Sequence, residues 1–174
     1  MLFPEKIENY EYDCLVGQEF KKIKLGDIKQ KYKIIIFYPL DFTFVCPTEI
    51  LKFSELHEEF EKLDAFVMFS SCDSKYSHLA WVQKPQSENG LGGNLHWPMI
   101  SDIKHELCKQ FNLFNEKTGT VMRSTVILGK NLEVLHMCAN VDTVGRSSSE
   151  VLRLIKAFKH VEEHGDVCFV DFNE

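Results

Sequence analysis

The chain has 174 residues, 44% of them hydrophobic, with 20 basic against 26 acidic side chains and a formal net charge of −6. That length suits one domain with a substantial core, and the apolar share excludes a disordered chain. The acidic balance argues weakly against nucleic acid as a partner.

A basic run from Lys21 to Lys33 opens the readable part of the chain and is expected to be a solvated edge leading into a buried strand. That strand is "KIIIFY" (33–38), a continuous apolar run of the kind buried on both faces. "PTEILKFSELHEEFEKL" follows as one helix, with Ile50, Phe53, Leu56, Phe60 and Leu63 at helical spacing. "AFVMFSSC" (65–72) reads as a second buried strand, and "SKYSHLAWVQK" as a helix capped by Asp73 or Ser74. A loop from Pro85 to Asn94 precedes a short strand at "PMIS" and a helix over "IKHELCKQF". "STVILG" and "LEVLHMCA" predict an antiparallel pair joined by a tight turn at Gly129–Asn131. "SSSEVLRLIKAFKHVEEH" predicts a last helix with Val151, Leu154, Ile155, Phe158 and Val161 as its apolar stripe, Ser147 to Ser149 as caps and Gly165 as its stop. Strands alternating with helices and ending in a hairpin indicate an α/β sandwich with a mixed central sheet flanked by helices.

The longest apolar run, Ile34 to Leu40, is far below the roughly 18 residues of a membrane-spanning helix, so no membrane partner is expected. The start "MLFPEKIENYEYDC" lacks the pattern of a signal peptide, which places the expected site of action in the cytoplasm, or in an organelle after removal of a transit peptide. In such a compartment six cysteines stay mostly reduced, and a reactive one is catalytic or redox-active before it is structural.

Cys46, in "FYPLDFTFVCPTEI" (37–50), stands directly before Pro47, a residue favoured in the first turn of a helix. The sulfur is thereby placed at a helix N-terminus, where unpaired N–H groups and the macrodipole favour a thiolate. Thr43 is positioned to hydrogen-bond the sulfur or a substrate oxygen, and Pro39 to stiffen the strand exit. Arg123 and Arg146, each just before a regular element, are the candidate positive charges. A local dithiol is excluded, because Thr43 and Glu49 occupy the places three residues before and after Cys46.

The same segment resembles the active site of the typical two-cysteine peroxiredoxins, whose P-x-x-x-T-x-x-C motif is matched by Pro39, Thr43 and Cys46. "DSKYSHLAW", "GLGG…WPMISD", "GRSSSEVLRLIKAF" and "HGDVC" resemble family segments in the family's order, so the likeness runs from about residue 17 to Cys168. The resemblance implies a thioredoxin-like fold over one domain, 1–174, with 165–174 as a tail carrying the resolving cysteine, Cys168. It implies a peroxidase in which Cys46 attacks hydrogen peroxide or an alkyl hydroperoxide, assisted by Thr43 and Arg123. Arg146 would help to fix the site through Glu49. Cys168 of a partner subunit would then form an intersubunit disulfide, reduced by thioredoxin or a similar dithiol protein. It also implies a homodimer that can build a decameric ring, and no metal or organic cofactor. A redox relay and a holdase chaperone are the alternative functions on the same scaffold.

Cys72 and Cys138 end apolar strands and are expected as small buried hydrophobes, with Cys14 and Cys108 equally outside the catalytic set. His105 and Cys108 share a helix face but lack a third ligand for a metal. The chain departs from sensitive family members at Asn89, which opens "NGLG" in place of G-G-L-G, and in carrying Phe169 and only "FVDFNE" after Cys168. The expectation from those departures is resistance of Cys46 to over-oxidation.

Overall fold

A computed structural model describes residues 4–93, 95–165 and 167–172. Strand β3 (Tyr32–Phe37) is buried at every position. Its side chains alternate between two cores, Ile34 and Ile36 joining one and Ile35 and Phe37 the other. A strand flanked in this way needs layers on both faces of its sheet, which is the arrangement seen.

In chain order, β1 (Glu11–Val16) and β2 (Glu19–Lys24) form an antiparallel hairpin ahead of β3. After β3 come α1 (Cys46–Glu55), α2 (His57–Lys62), β4 (Ala65–Ser71) and α3 (Lys75–Gln83). Then follow β5 (Met99–Ser101), α4 (Glu106–Gln110) and a two-residue pair, β6 (Phe114–Asn115) with β7 (Thr120–Val121). The elements β8 (Ser124–Leu128), β9 (Val134–Ala139) and α5 (Ser148–His164) close the fold. Among the described residues, seven strands form one sheet in the order β2-β1-β5-β4-β3-β8-β9. β3, β4 and β5 run parallel, and the outer strands pair antiparallel. The sheet is therefore mixed and flanked by helices.

One core packs Phe53 and Ile50 of α1, Phe60 of α2, Trp81 of α3 and Ile155 of α5 against the sheet. The opposite core packs Leu107 and Cys108 of α4 with Phe111, Leu113 and Val121. Cys46 belongs to the first core.

Several elements differ from the sequence reading. The hairpin β1–β2 was not foreseen. It turns at Gly17, whose φ of +60° suits glycine. β2 is an edge strand, as the basic run suggested, and Lys22 pairs with Glu11 across the hairpin at 2.8 Å. Lys33 is the exception in that run: it is buried, and its ammonium donates to the carbonyls of Gln30, Lys31 and Lys130. The helix expected from 47 to 63 breaks at Leu56 into α1 and α2. Its apolar positions advance on average by less than the 3.6 residues of a helical turn, and the break takes up the lag. α4 starts late, at Glu106, because His105 has φ +59° and the Asp102 carboxylate accepts from the N–H groups of Leu107 and Cys108. The β8–β9 connection runs from 129 to 133, longer than the turn expected.

Ser74 caps α3 and Ser147 caps α5, each accepting at 3.2 Å from the N–H three residues on, and Gly165 ends α5 at φ +63°. On α5, Leu152 and Ala157 are buried, whereas Val161 is exposed. Cys138 is exposed on the edge strand β9 and Cys72 is only partly buried, so neither is the fully buried hydrophobe expected. Cys14 and Cys108 are buried.

Candidate active site

Cys46 is the first residue of α1 and Pro47 the second, so the sulfur sits at the helix N-terminus, where the Thr48 and Glu49 N–H groups share the Val45 carbonyl. No side chain caps this end, and the Thr48 hydroxyl instead donates back to the Val45 carbonyl at 2.7 Å. The positive end of the helix is left facing Cys46. The residue is 0% exposed.

Arg123 arrives from the residue just before β8, and both of its terminal nitrogens, Nη1 and Nη2, lie 3.5 Å from Cys46 Sγ. Its Nε donates to the Asp142 carbonyl at 3.0 Å, which fixes the plane of the guanidinium. Nη1 also donates to Glu49 Oε2 at 2.6 Å. Glu49 is one turn along α1 from Cys46, so the helix itself sets their separation.

Arg146 closes the arrangement from the loop before α5. Its backbone N–H and Nε donate to Glu49 Oε1 at 2.7 and 2.9 Å, and its Nη2 donates to Oε2 at 2.7 Å. Its Nη1 donates to the carbonyls of Phe37 and Ser124, each at 2.6 Å. Those two residues are register partners at the end of the β3–β8 ladder. One guanidinium therefore ties α1 to the sheet.

Burial by itself would raise the Glu49 carboxyl, but the hydrogen bonds and charge of Arg146, then the charge of Arg123, hold it below its ordinary value. Burial by itself would lower Arg123. The charge and bonding of Cys46, followed by those of Glu49, hold it above the ordinary arginine value. Each carboxylate and guanidinium of the cluster is only 3% exposed at its side chain, so these interactions act with little screening.

Thr43 and Pro39 lie on the loop between β3 and α1. Pro39 is buried, and the Thr43 hydroxyl donates to the Leu40 carbonyl at 3.0 Å. Around them Leu40, Phe42 and Phe44 are exposed, Phe44 at 81%. Cys168 is not part of this cluster. It follows α5 and is partly buried, between the exposed Val167 and Phe169.

The sequence reading missed the group that anchors the loop. His78 Nδ1 on α3 lies 2.9 Å from Asp41 Oδ2, and the Tyr38 hydroxyl donates to Asp41 Oδ1 at 2.8 Å. The Asp41 N–H donates to Asp73 Oδ2 at 2.9 Å, and Ser71 Oγ donates to the same oxygen at 2.7 Å. The signal was a histidine one residue from the leucine and three from the tryptophan of "SHLAW", on a face that α3 buries.

A buried sulfur at a helix N-terminus, faced by Arg123, which is braced on Glu49 with Arg146 on the same carboxylate, is a candidate nucleophile. The profile of the AhpC/TSA family matches residues 5–137. A protein of Encephalitozoon cuniculi, provisionally named a thioredoxin peroxidase, is 48% identical over 167 residues, covering 96% of this chain and 94% of its own. The human mitochondrial thioredoxin-dependent peroxide reductase is 43% identical over 155 residues, covering 89% of this chain and 60% of its own. The crystal structure of the reduced Plasmodium vivax 2-Cys peroxiredoxin superposes with a TM-score of 0.93 at 32% identity, over 99% of this chain and 90% of that one. The chain belongs to the AhpC/TSA family and is a peroxiredoxin with that family's thioredoxin-like fold.

Proposed function

We propose that this chain reduces hydrogen peroxide and small organic hydroperoxides as a thioredoxin-dependent peroxidase, with Cys46 as its nucleophile. The observation that carries this reading is the pair of Arg123 nitrogens 3.5 Å from the buried Cys46 sulfur. Two guanidiniums and one carboxylate leave one positive charge uncompensated at the sulfur, and a thiolate balances it.

The thiolate attacks one peroxide oxygen and the O–O bond breaks. The attacked oxygen stays on sulfur as a sulfenic acid, and the leaving oxygen takes a proton and departs as water or alcohol. Arg123 stabilises the charge that grows on the oxygens, while Thr43 and Pro39 shape the approach. Glu49 and Arg146 hold Arg123 in place and do not touch the peroxide. Cys168 of a second copy attacks the sulfenic sulfur, releasing water and leaving an intersubunit disulfide. A dithiol protein such as thioredoxin reduces that disulfide by exchange. No cofactor enters these steps.

The chain acts in this reading as a single domain and at least as a homodimer. The exposed apolar side chains of Leu40, Phe42 and Phe44 beside the site, with Val141 and Val144, support packing of further copies into a ring. Its proposed place of action is the cytoplasm, although relatives in mouse and human are named as mitochondrial. The relay and holdase readings are not favoured, because the relatives' names point to peroxide reduction.

The test is intact mass without reductant after one equivalent of hydrogen peroxide is added to reduced protein, with Cys168→Ser alongside. The expected result is a doubled mass in the wild type and none in the variant. A single-chain mass carrying oxygen in the wild type would overturn the resolving role of Cys168.

A further inference from the structure

On the face of the sheet opposite Cys46 lies a second pair of thiols. Cys72 follows the last residue of β4, and Cys108 sits in α4, with both packed in the second core. Their side chains pack in the same core, close enough for each thiol to shift the other. Asp102 fixes the two segments together. Its N–H donates to the Ser71 carbonyl at 2.9 Å, next to Cys72, and its Oδ2 accepts from the Cys108 N–H at 2.8 Å. Cys108 Sγ also lies 3.7 Å from the His105 carbonyl. Cys108 is buried, whereas Cys72 is partly open to solvent. The pair therefore has an accessible member and a sequestered one.

We propose that Cys72 and Cys108 form a second, intramolecular disulfide, made by hydrogen peroxide without the participation of Cys46. Cys72 is the attacking thiolate. It takes one oxygen from hydrogen peroxide, the O–O bond breaks, and water leaves after protonation. The Cys108 sulfur then attacks the Cys72 sulfenic acid, losing its proton, and a second water leaves. In sum, one peroxide and two thiols give one disulfide and two waters, the peroxide taking the two electrons that the sulfurs lose.

The environment divides the two roles. The neighbouring Cys108 side chain is the first cause that sets the Cys72 thiol below its ordinary value. The Val121 N–H adds to this, while burial and the Asp102 and Asp73 carboxylates oppose it. Cys108 is pushed the other way, by the Cys72 side chain first and by burial second, so it keeps the proton until the sulfenic acid forms. Among the described residues no group of three or more His, Cys, Asp or Glu stands close enough to hold a metal ion, so the chemistry at hand is that of two thiols.

Cys46→Ser/Cys168→Ser removes both thiols of the proposed catalytic cycle and isolates the second pair. This variant, fully reduced, is exposed to a molar excess of hydrogen peroxide, quenched in acid, alkylated and mapped without reduction. The expected result is loss of two hydrogens in most molecules and a linked peptide joining Cys72 to Cys108. Adding Cys72→Ser should abolish both. Oxygen added to Cys72 with Cys108 still alkylated, both thiols alkylated, or a link running to Cys14 or Cys138 would each overturn the proposal. If the variant fails to fold, mapping of the oxidised wild type decides: the Cys72–Cys108 peptide must appear beside any link from Cys46. Because Cys46 is absent from the first assay, its outcome is independent of the peroxidase reading.

Discussion

Asp41 Oδ2 and His78 Nδ1 lie 2.9 Å apart with neither side chain more than 1% exposed, and through them the loop carrying Pro39 and Thr43 is fastened to α3. His78 Nε2 reaches the Ile100 carbonyl at 3.2 Å, so the ring spans from the active-site loop to β5. Asp41→Ala leaves His78, Tyr38 and their buried neighbours without a shared acceptor. Each unsatisfied buried group costs about 1–3 kcal/mol, and the variant should lose at least that much stability. Its second-order rate with peroxide should fall while Cys46 remains alkylatable in the unfolded protein. Chemical denaturation and stopped-flow Trp fluorescence measure the two effects. An unchanged rate would mean that the loop keeps its shape without the tether.

Arg123→Lys keeps one charge but loses the planar pair of donors that faces the sulfur. Removal of one preorganised donor at a reacting oxygen typically costs about 10²–10³ in rate, so a loss of that order is expected in the peroxide reaction. The disulfide-forming step after sulfenic acid should change less. A lysine variant with full peroxide rate would remove Arg123 from the chemistry.

Glu49 provides a pH signature. Its carboxyl titrates below the ordinary value of 4.5 in the folded chain, so the folded state binds its proton more weakly than the unfolded state does. The stability it contributes is present above pH 4.5 and is lost as pH falls through the lowered folded value. Melting temperatures of the wild type and Glu49→Gln should therefore differ most at neutral pH and converge in acid. Parallel curves would show that the carboxylate's bonds to Arg146 and Arg123 do not support the fold.

Gly90 tests the loop where the chain departs from the family's usual motif. A Cβ there would lie 2.0 Å from the backbone oxygen of Lys84, and the neighbour is main chain that has no rotamer to yield. Gly90→Ala should destabilise the protein by more than about 2 kcal/mol, a cost at the upper end of ordinary single substitutions. Asn89 behaves differently. Its φ of +60° is one that asparagine tolerates, and its carbonyl accepts from Trp81 Nε1 at 2.8 Å. Asn89→Gly should accordingly leave the melting temperature nearly unchanged, and a large drop would contradict that account.

What could be seen in the residues alone followed their burial. β3 is buried on both faces and α5 carries two caps and a stop, so both show strong local patterns and were placed within a residue or two. β2 is an outer strand exposed at five of its six positions, which leaves no alternation to detect; only Gly17 marked the turn before it. The catalytic candidates were visible because Cys46 and Pro47 are adjacent and the motif is local. The partnership of Arg146 with Glu49 came through family likeness, and the bond of Arg123 to Glu49 was not foreseen, since no spacing rule links residues 97 and 74 apart. Cys72 and Cys108 were treated as unrelated for the same reason. Their contact is created by the pairing of β4 with β5 and by the anchoring of α4 on Asp102, neither of which is written in a spacing.

The separation of Cys46 from the two arginines also matters while the protein is being made. Cys46 leaves the ribosome 77 residues before Arg123 and 146 − 46 = 100 residues before Arg146. At about 5–20 residues per second, the second interval lasts roughly 5–20 s. Arg146 is missing for all of that time, and Arg123 for the first 77 residues of it. On the proposed function, Cys46 of a newborn chain meets peroxide as an ordinary cysteine until residues from the last third of translation arrive.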